Sequence, residues 1–571
     1  MREYRKECII APLFKALEVA FELLVPLIMT YMIDVGIPAA KGEDGSLRTI
    51  FGCTGILFLL GAIGLSCTLI AQYFSARAAC GFAKNIKGAI FHHVGKLSYT
   101  DLDSVTNARL VTHLTSDVNQ IQTATNLALR LLLRSPLVVF GAMAMAFIVD
   151  ARAAVPFAVV IPLLSLVVFG IMLSTIPLYK RVQAALSRVL GRTRENLNGV
   201  RVIRAFSHED EEVEAFLEEN EALTRHQKFV GRISAFLNPM TYVIINLGIV
   251  YLLWSSSFRV QAGELSQGEV VALWNYMTQI LVELIKLANL IITMTKGAAC
   301  GSRISVVLDI LPSQAYPESD PVENTTGDAV CFKNVSFRYK GAGDDSLKNI
   351  SFSVPRGAMV GIIGGTGSGK TTLINLIGRL YDASEGEILV NGCNVRAYKK
   401  NTLLGKIGLV PQRAVLFSGT IRENLKWGNL SATDEECVDA ITKAQAADIL
   451  QSKPEGLDYE LEAGGKNLSG GQRQRLTIAR ALVREPEILI LDDAASALDY
   501  ATDAALRRAI SKEKCTTFVV SQRIASVKEA DVILLLDDGE LLAKGTHEEL
   551  LQRSPLYREI YDSQYKKEDA V

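Results

Sequence analysis

Six stretches, near positions 11–35, 50–80, 124–149, 153–178, 233–256 and 268–297, are apolar over the ~20 residues a helix needs to cross a bilayer. Each predicts a membrane-spanning helix. The connections after the first, third and fifth are short, whereas those after the second and fourth are long, polar and helix-prone. Past Leu311 the pattern changes. Pro312, Pro317, Pro321, Asn324 and Gly327 punctuate a linker over 312–327. Beyond it, short β-branched runs, such as those at 360–363 and 488–491, alternate with helical stretches. Continuous apolar runs of that length suit strands buried on both faces of a parallel sheet. The pattern therefore predicts a multidomain chain: an all-α transmembrane domain of six helices over 1–311, then an α/β domain over 328–571. There is no internal repeat and no low-complexity tract.

Charge orients the spans. The N-terminal tail carries Arg2, Arg5 and Lys6, and the second connection carries Lys84, Lys87 and Lys96. The fourth carries Lys180, Arg181, Arg188, Arg192, Arg194, Arg201 and Arg204. Because positive loops stay on the cytoplasmic side, both termini and the α/β domain are expected in the cytoplasm, on a multi-pass protein of the cell (plasma or inner) membrane. The apolar stretch at 11–35 is too long for a signal peptide and is not followed by a clean cleavage site. Mean hydropathy is +0.23, high for a soluble chain of 571 residues. A net charge of −1 leaves no basic footprint for nucleic acid, so none is expected as a partner. The nine cysteines form no C-x-x-C pair and read as reduced packing residues. Glu18 and Glu22, Arg130 and Arg134, and Glu283 and Lys286 lie within spans, at i, i+4 or i, i+3. Such charges either line a polar substrate path or a gate held by ion pairs, or are absorbed by inter-helix pairing, snorkelling or a helix that extends into the cytoplasm.

The α/β half carries recognisable chemistry. Gly364, Gly365, Thr366, Gly367, Ser368, Gly369, Lys370 and Thr371 fit G-x-x-x-x-G-K-[ST], after an apolar strand and before a helix that includes Thr372. In that pattern glycines let backbone N–H groups turn in around phosphates, and the helix presents its positive end. Lys370 reaches the β- and γ-phosphates, and Thr371 offers a hydroxyl to Mg2+. Leu468, Ser469, Gly470, Gly471 and Gln472 form a second element. The run at 488–491 then ends in Asp492, a carboxylate placed to hold magnesium.

With these three elements in order, the chain resembles the ATP-binding cassette (ABC) exporters across nearly its whole length. The resemblance implies ATP and Mg2+ as cofactors, a lipid bilayer around the helices, a transported substrate, and two cassettes in head-to-tail contact. It assigns Tyr339 to adenine stacking, although a strand residue packed in the core is the alternative. Gln412 it assigns to magnesium and to contact with the membrane domain. Leu468, Ser469, Gly470, Gly471, Gln472 and Asp499 it assigns to ATP held by the opposite cassette. The stretches at 109–122 and 195–206 resemble the family's cytoplasmic connections, which end in coupling helices.

Two positions depart from the family pattern. Asp493 stands where a catalytic glutamate follows the magnesium aspartate, and Gln522 stands where the family has histidine. Ala463 replaces a glutamate found in many relatives before the signature. A general base must come within about 2.6–3.2 Å of the attacking water. Asp493 is one methylene short, and Gln522 donates a hydrogen bond without carrying charge. The combination resembles the degenerate-site subunit of heterodimeric bacterial multidrug-type exporters. It implies a non-identical second half-transporter as partner, with ATP held but slowly hydrolysed on this chain's own phosphate loop. The alternative is a homodimer hydrolysing ATP at two slow sites. The substrate is not legible.

Overall fold

The computed structural model describes residues 2–41, 47–324 and 327–565. Thr325 and Thr326 of the expected linker, and the expected end of the α/β domain at 566–571, lie outside the described residues. The chain divides into two compact units: Met1–Gly95 with Asn107–Ile310, and Lys96–Thr106 with Leu311–Val571.

The first unit is helical. Its main helices are α1 (Arg5–Tyr31), α2 (Arg48–Val94), α4 (Val118–Leu131), α5 (Arg134–Val149), α6 (Val155–Phe206), α7 (Glu209–Ala235), α8 (Leu237–Gln261) and α9 (Gln267–Leu308). The label α3 is kept for Tyr99–Val105, which belongs to the second unit. Among the described residues, five helical spans are long and apolar enough to cross a membrane: Arg48–Val94, Asn107–Val149, Val155–Phe206, Glu209–Gln261 and Gln267–Leu308. The remaining expected span, α1, carries Lys15, Glu18 and Glu22 in its middle, so its apolar run is interrupted. Phe157, Leu164, Leu252, Leu273, Tyr276 and Met277 are fully buried where α5, α6, α8 and α9 pack. Phe58, Ile148 and Leu166 are exposed apolar side chains, as an exterior solvated by lipid requires.

The charges of α1 are not left alone. Arg134 at the start of α5 donates to Glu22 at 2.8 Å and to Glu283 of α9, and lies 3.7 Å from Glu18. Ser135 donates to Glu283 at 3.0 Å, and Lys286 adds a bond at 2.7 Å. These charges are paired between helices, an arrangement common to a gate held by ion pairs and to structural pairing. None of the described ion pairs includes Arg130.

The second unit is α/β. Its first sheet is antiparallel, in the order β2 (Leu347–Val354), β1 (Val330–Phe337), β4 (Glu385–Val390), β5 (Cys393–Asn394). The second has β3 (Met359–Gly364), β6 (Ile407–Val410), β7 (Ile488–Asp492), β8 (Thr516–Val520), β9 (Val532–Asp537) and β10 (Glu540–Gly545). Its order is β10-β9-β3-β8-β7-β6, parallel throughout except for the β10 edge. The apolar run at 488–491 forms β7, in which every residue is buried, because both faces of the sheet are covered. The helices that frame the site are α10 (Lys370–Ile377), α11 (Gly470–Leu482), α12 (Tyr500–Ile510) and α13 (Pro555–Tyr565). The helical insert between β6 and β7 packs Ile421, Leu425, Ile441, Ile449 and Leu476 into one core with the sheet.

Helix α3 docks on this unit. Ser98 and Asp101 form a reciprocal capping box at its start. The Asp101 carboxylate also accepts the Ser313 N–H at 2.9 Å, tying the helix to the segment after Ile310. Tyr381 donates to Asp103 at 2.9 Å. This docked helix lies upstream of the 109–122 stretch.

Candidate nucleotide site

The site is built at the carboxyl ends of the parallel strands, where open α/β sheets bind ligands. Strand β3 runs into the glycine loop, and α10 begins at Lys370. Two glycines are required by geometry. Gly369 has φ +93°, and a Cβ there would meet the Ser346 carbonyl oxygen at 2.7 Å. A Cβ on Gly364 would lie 2.1 Å from the Leu536 carbonyl oxygen. Lys370 is buried and folds back on its own loop, donating to the Gly364 carbonyl at 2.9 Å and to that of Gly365. Burial pushes its pKa down, against the pull of Asp493 and Asp492. A buried ammonium satisfied by its own loop is poised to exchange those carbonyls for phosphate oxygens.

Thr371 and Asp492 meet: the threonine hydroxyl lies 3.1 Å from the nearer carboxylate oxygen. Burial raises the pKa of both Asp492 and Asp493, and each also feels nearby charge. Asp493 follows β7 with φ +47°, a left-handed backbone uncommon outside glycine. Gln412 hydrogen-bonds its carboxylate. A cavity of about 160 Å³ is lined by Thr366, Gly367, Lys370, Thr371, Gln412, Asp492, Asp493, Val520, Ser521 and Gln522. A neighbouring cavity of about 490 Å³ shares Gly367, Lys370 and Thr371 and extends to Thr372 and Tyr339. The Tyr339 hydroxyl lies 3.1 Å from that of Thr372. The predicted phosphate loop, strand-end carboxylates, glutamine and aromatic thus line two adjoining cavities. Gly364, Gly365 and Ser368 line neither cavity; their carbonyl and hydroxyl oxygens accept from Lys370.

The hydroxyl, carboxylate and carboxamide oxygens form a hard donor set of the kind Mg2+ takes. Among the described residues, no three His, Cys, Asp or Glu side chains converge on an ion.

The signature residues lie elsewhere. Ser469 caps α11, its hydroxyl accepting the Gln472 N–H at 3.2 Å while the Gln472 side chain accepts the Ser469 N–H at 3.0 Å. Gly470 and Gly471 form the first turn behind Leu468. Asp499 caps α12 by accepting the Thr502 N–H at 2.8 Å. None of these residues lines the two cavities. Conversely, Ser346, Asp344, Asp538 and Gly539 line the larger cavity and escaped the sequence reading. Asp538-Gly539 reads only as a turn dipeptide; pairing of β9 with β3 brings it to the loop.

A helical unit with membrane-length apolar helices, joined to an α/β unit with a phosphate-loop site, defines a membrane transporter that carries its own ATP-binding domain. Residues 8–284 match the family model described as the ABC transporter transmembrane region, and residues 347–496 match the one described as ABC transporter. The chain is 36% identical over 559 residues to YfiB of Bacillus subtilis (strain 168), described as an uncharacterized ABC transporter ATP-binding protein. The match covers 98% of this chain and 96% of that protein. Rv1273c of Mycobacterium tuberculosis (strain ATCC 25618 / H37Rv), described in the same words, is 33% identical over 575 residues, covering 99% and 97%. A solved bacterial Atm1-family ABC exporter with ATP bound has the same fold, with TM-score 0.82, 24% identity and 98% of each chain covered. The chain belongs to the ABC transporter family. It is a multi-pass membrane protein with a helical transmembrane domain followed by an α/β ATP-binding domain.

Proposed function

We propose that this chain is one subunit of an ATP-driven exporter in the cell membrane, paired with a second, non-identical half-transporter. Its domains are taken as 1–311, the 312–327 linker and 328–571, with both termini cytoplasmic. ATP and Mg2+ bind at Lys370, Thr371, Gln412 and Asp492, with adenine against Tyr339. Ser469, Gly470, Gly471 and Asp499 complete the partner's site. The observation that carries this reading is the small cavity on which Asp493 and Gln522 stand beside Lys370, Thr371 and Asp492. Both departures from the family pattern line the same small cavity. A shortened base and a neutral partner there slow water attack by about 10²–10⁴-fold, while leaving phosphate and metal ligands intact.

ATPase measurement on the purified full-length chain, alone and with a candidate partner, tests this. Slow turnover alone is expected, with a gain of about 10²-fold or more when Asp493→Glu and Gln522→His are combined. Brisk turnover by the chain alone, abolished by Asp493→Asn, overturns it and favours a homodimer with competent sites.

A further inference from the structure

The loop that carries Gln522 is held by a residue far from it in sequence. Gln564, in the last turn of α13, donates from Nε2 to the Gln522 carbonyl at 2.8 Å. Its Oε1 accepts the Ile524 N–H at 2.9 Å. One primary amide thus satisfies the two backbone groups that flank Arg523, as a strand partner would. The opposite flank is also fixed. The Arg523 guanidinium lies 5.2 Å from the centroid of the Tyr500 ring, and the Arg523 N–H bonds the Ser521 hydroxyl at 3.0 Å. Ser521 in turn is tied to β3, its N–H bonding the Ile362 carbonyl at 3.1 Å. Between these anchors Gln522 lines the same cavity as Asp493.

Helix α13 does not depend on Gln564 for its seat. Tyr557 is fully buried with its hydroxyl 2.8 Å from His547 Nδ1, and Leu556, Ile560 and Tyr561 pack on the core. We propose that Gln564 is a positioning residue: the C-terminal helix, through this two-point clip, fixes the approach of Gln522 to the terminal phosphate of bound ATP. A short loop without regular hydrogen bonding otherwise samples several backbone wells, and each ordered residue costs entropy. Presetting that loop makes the Gln522 contact worth its full hydrogen bond. The inference rests on the reading that position 522 faces the γ-phosphate.

Because that contact exists only with a terminal phosphate, the readout is the preference of this chain's site for MgATP over MgADP. Binding is measured on the purified full-length chain. Gln522→Ala is expected to lower the preference about 3- to 10-fold, the size of one hydrogen bond. Gln564→Ala should lower it similarly with MgADP affinity unchanged, and the double variant should be no worse than Gln522→Ala alone. Gln564→Glu keeps the helix and the acceptor for Ile524 but turns a carboxylate on the Gln522 carbonyl; it should match Gln564→Ala. Equal losses of ATP and ADP affinity, or additive effects in the double variant, would mark Gln564 as merely structural and overturn the proposal. If Gln522→Ala leaves the preference unchanged, the premise about position 522 fails and takes the proposal with it. If only the Gln564 variants are silent, the premise stands and the clip does not.

Discussion

At the residue scale, the site depends on groups held out of water without a permanent partner of opposite charge. Lys370 is buried on the carbonyls of its own loop, and burial lowers its pKa. Lys370→Ala is expected to weaken MgATP binding by about 2–3 kcal/mol, the value of a charge-assisted hydrogen bond, measured by nucleotide titration. Thr371→Val removes the hydroxyl that faces Asp492. It should leave metal-free nucleotide binding intact while raising the Mg2+ needed for tight binding. Asp492 sets a pH dependence. Burial raises its pKa, and on the proposed assignment of Mg2+ to this carboxylate protons compete with the metal. Mg2+ affinity should therefore begin to fall, on acidification, above the ordinary carboxylate value of about 3.9. A decline confined to lower pH would contradict the burial.

At the element scale, two short-range devices decide where long helices attach. Helix α3 is fastened through Asp101. Burial pushes that carboxyl's pKa up, but hydrogen bonds from Ser313 and Ser98 outweigh it, and the net shift is downward. A lowered folded value means the fastening is complete above the unfolded pKa of about 3.9 and is lost as pH falls below it. Asp101→Ala removes the acceptor of the Ser313 N–H, on an exposed residue that water can reach, and should cost about 0.5–1.5 kcal/mol. Faster amide exchange at Ser313 and across 99–105 would report it. In the membrane unit, Arg134 joins α1, α5 and α9 through Glu22, Glu18 and Glu283. Arg134→Met leaves Glu283 its bond from Lys286 and Glu18 its bond from Lys15 but takes the cation from Glu22, so a loss of about 1–3 kcal/mol in stability is expected. Combining it with Glu283→Gln should recover part of that loss. Failure of any recovery would show that the pair does not couple.

At the scale of the whole molecule, the chain interleaves its two units. The segment Lys96–Thr106 leaves the helical unit between Gly95 and Asn107 and packs with the α/β unit. A short segment that lies in sequence between two stretches of the helical unit is thereby built into the α/β unit. The signature residues cap α11 and line neither cavity. On the proposed function a second cassette covers them. Co-purification with a candidate half-transporter, followed by cross-linking at Ser469, should trap a dimer in the presence of ATP. Cross-linking to a second copy of this chain with equal yield would favour the homodimer.

The sequence by itself determined the helical and α/β halves, the phosphate loop and its strand-end aspartate. Each of these is a local pattern of period or spacing, and such patterns act over a few residues. It also displayed Asp493 and Gln522 as departures. Only the tertiary structure put those two on one cavity, because parallel pairing of β7 with β8 brings 492 and 520 side by side. It alone paired the charges of α1 with Arg134, and carried Asp538 and Gln564 to loops far from them in sequence. Those contacts join residues separated by tens to hundreds of positions, and no periodicity encodes which distant chain a hydrogen-bonding group will meet.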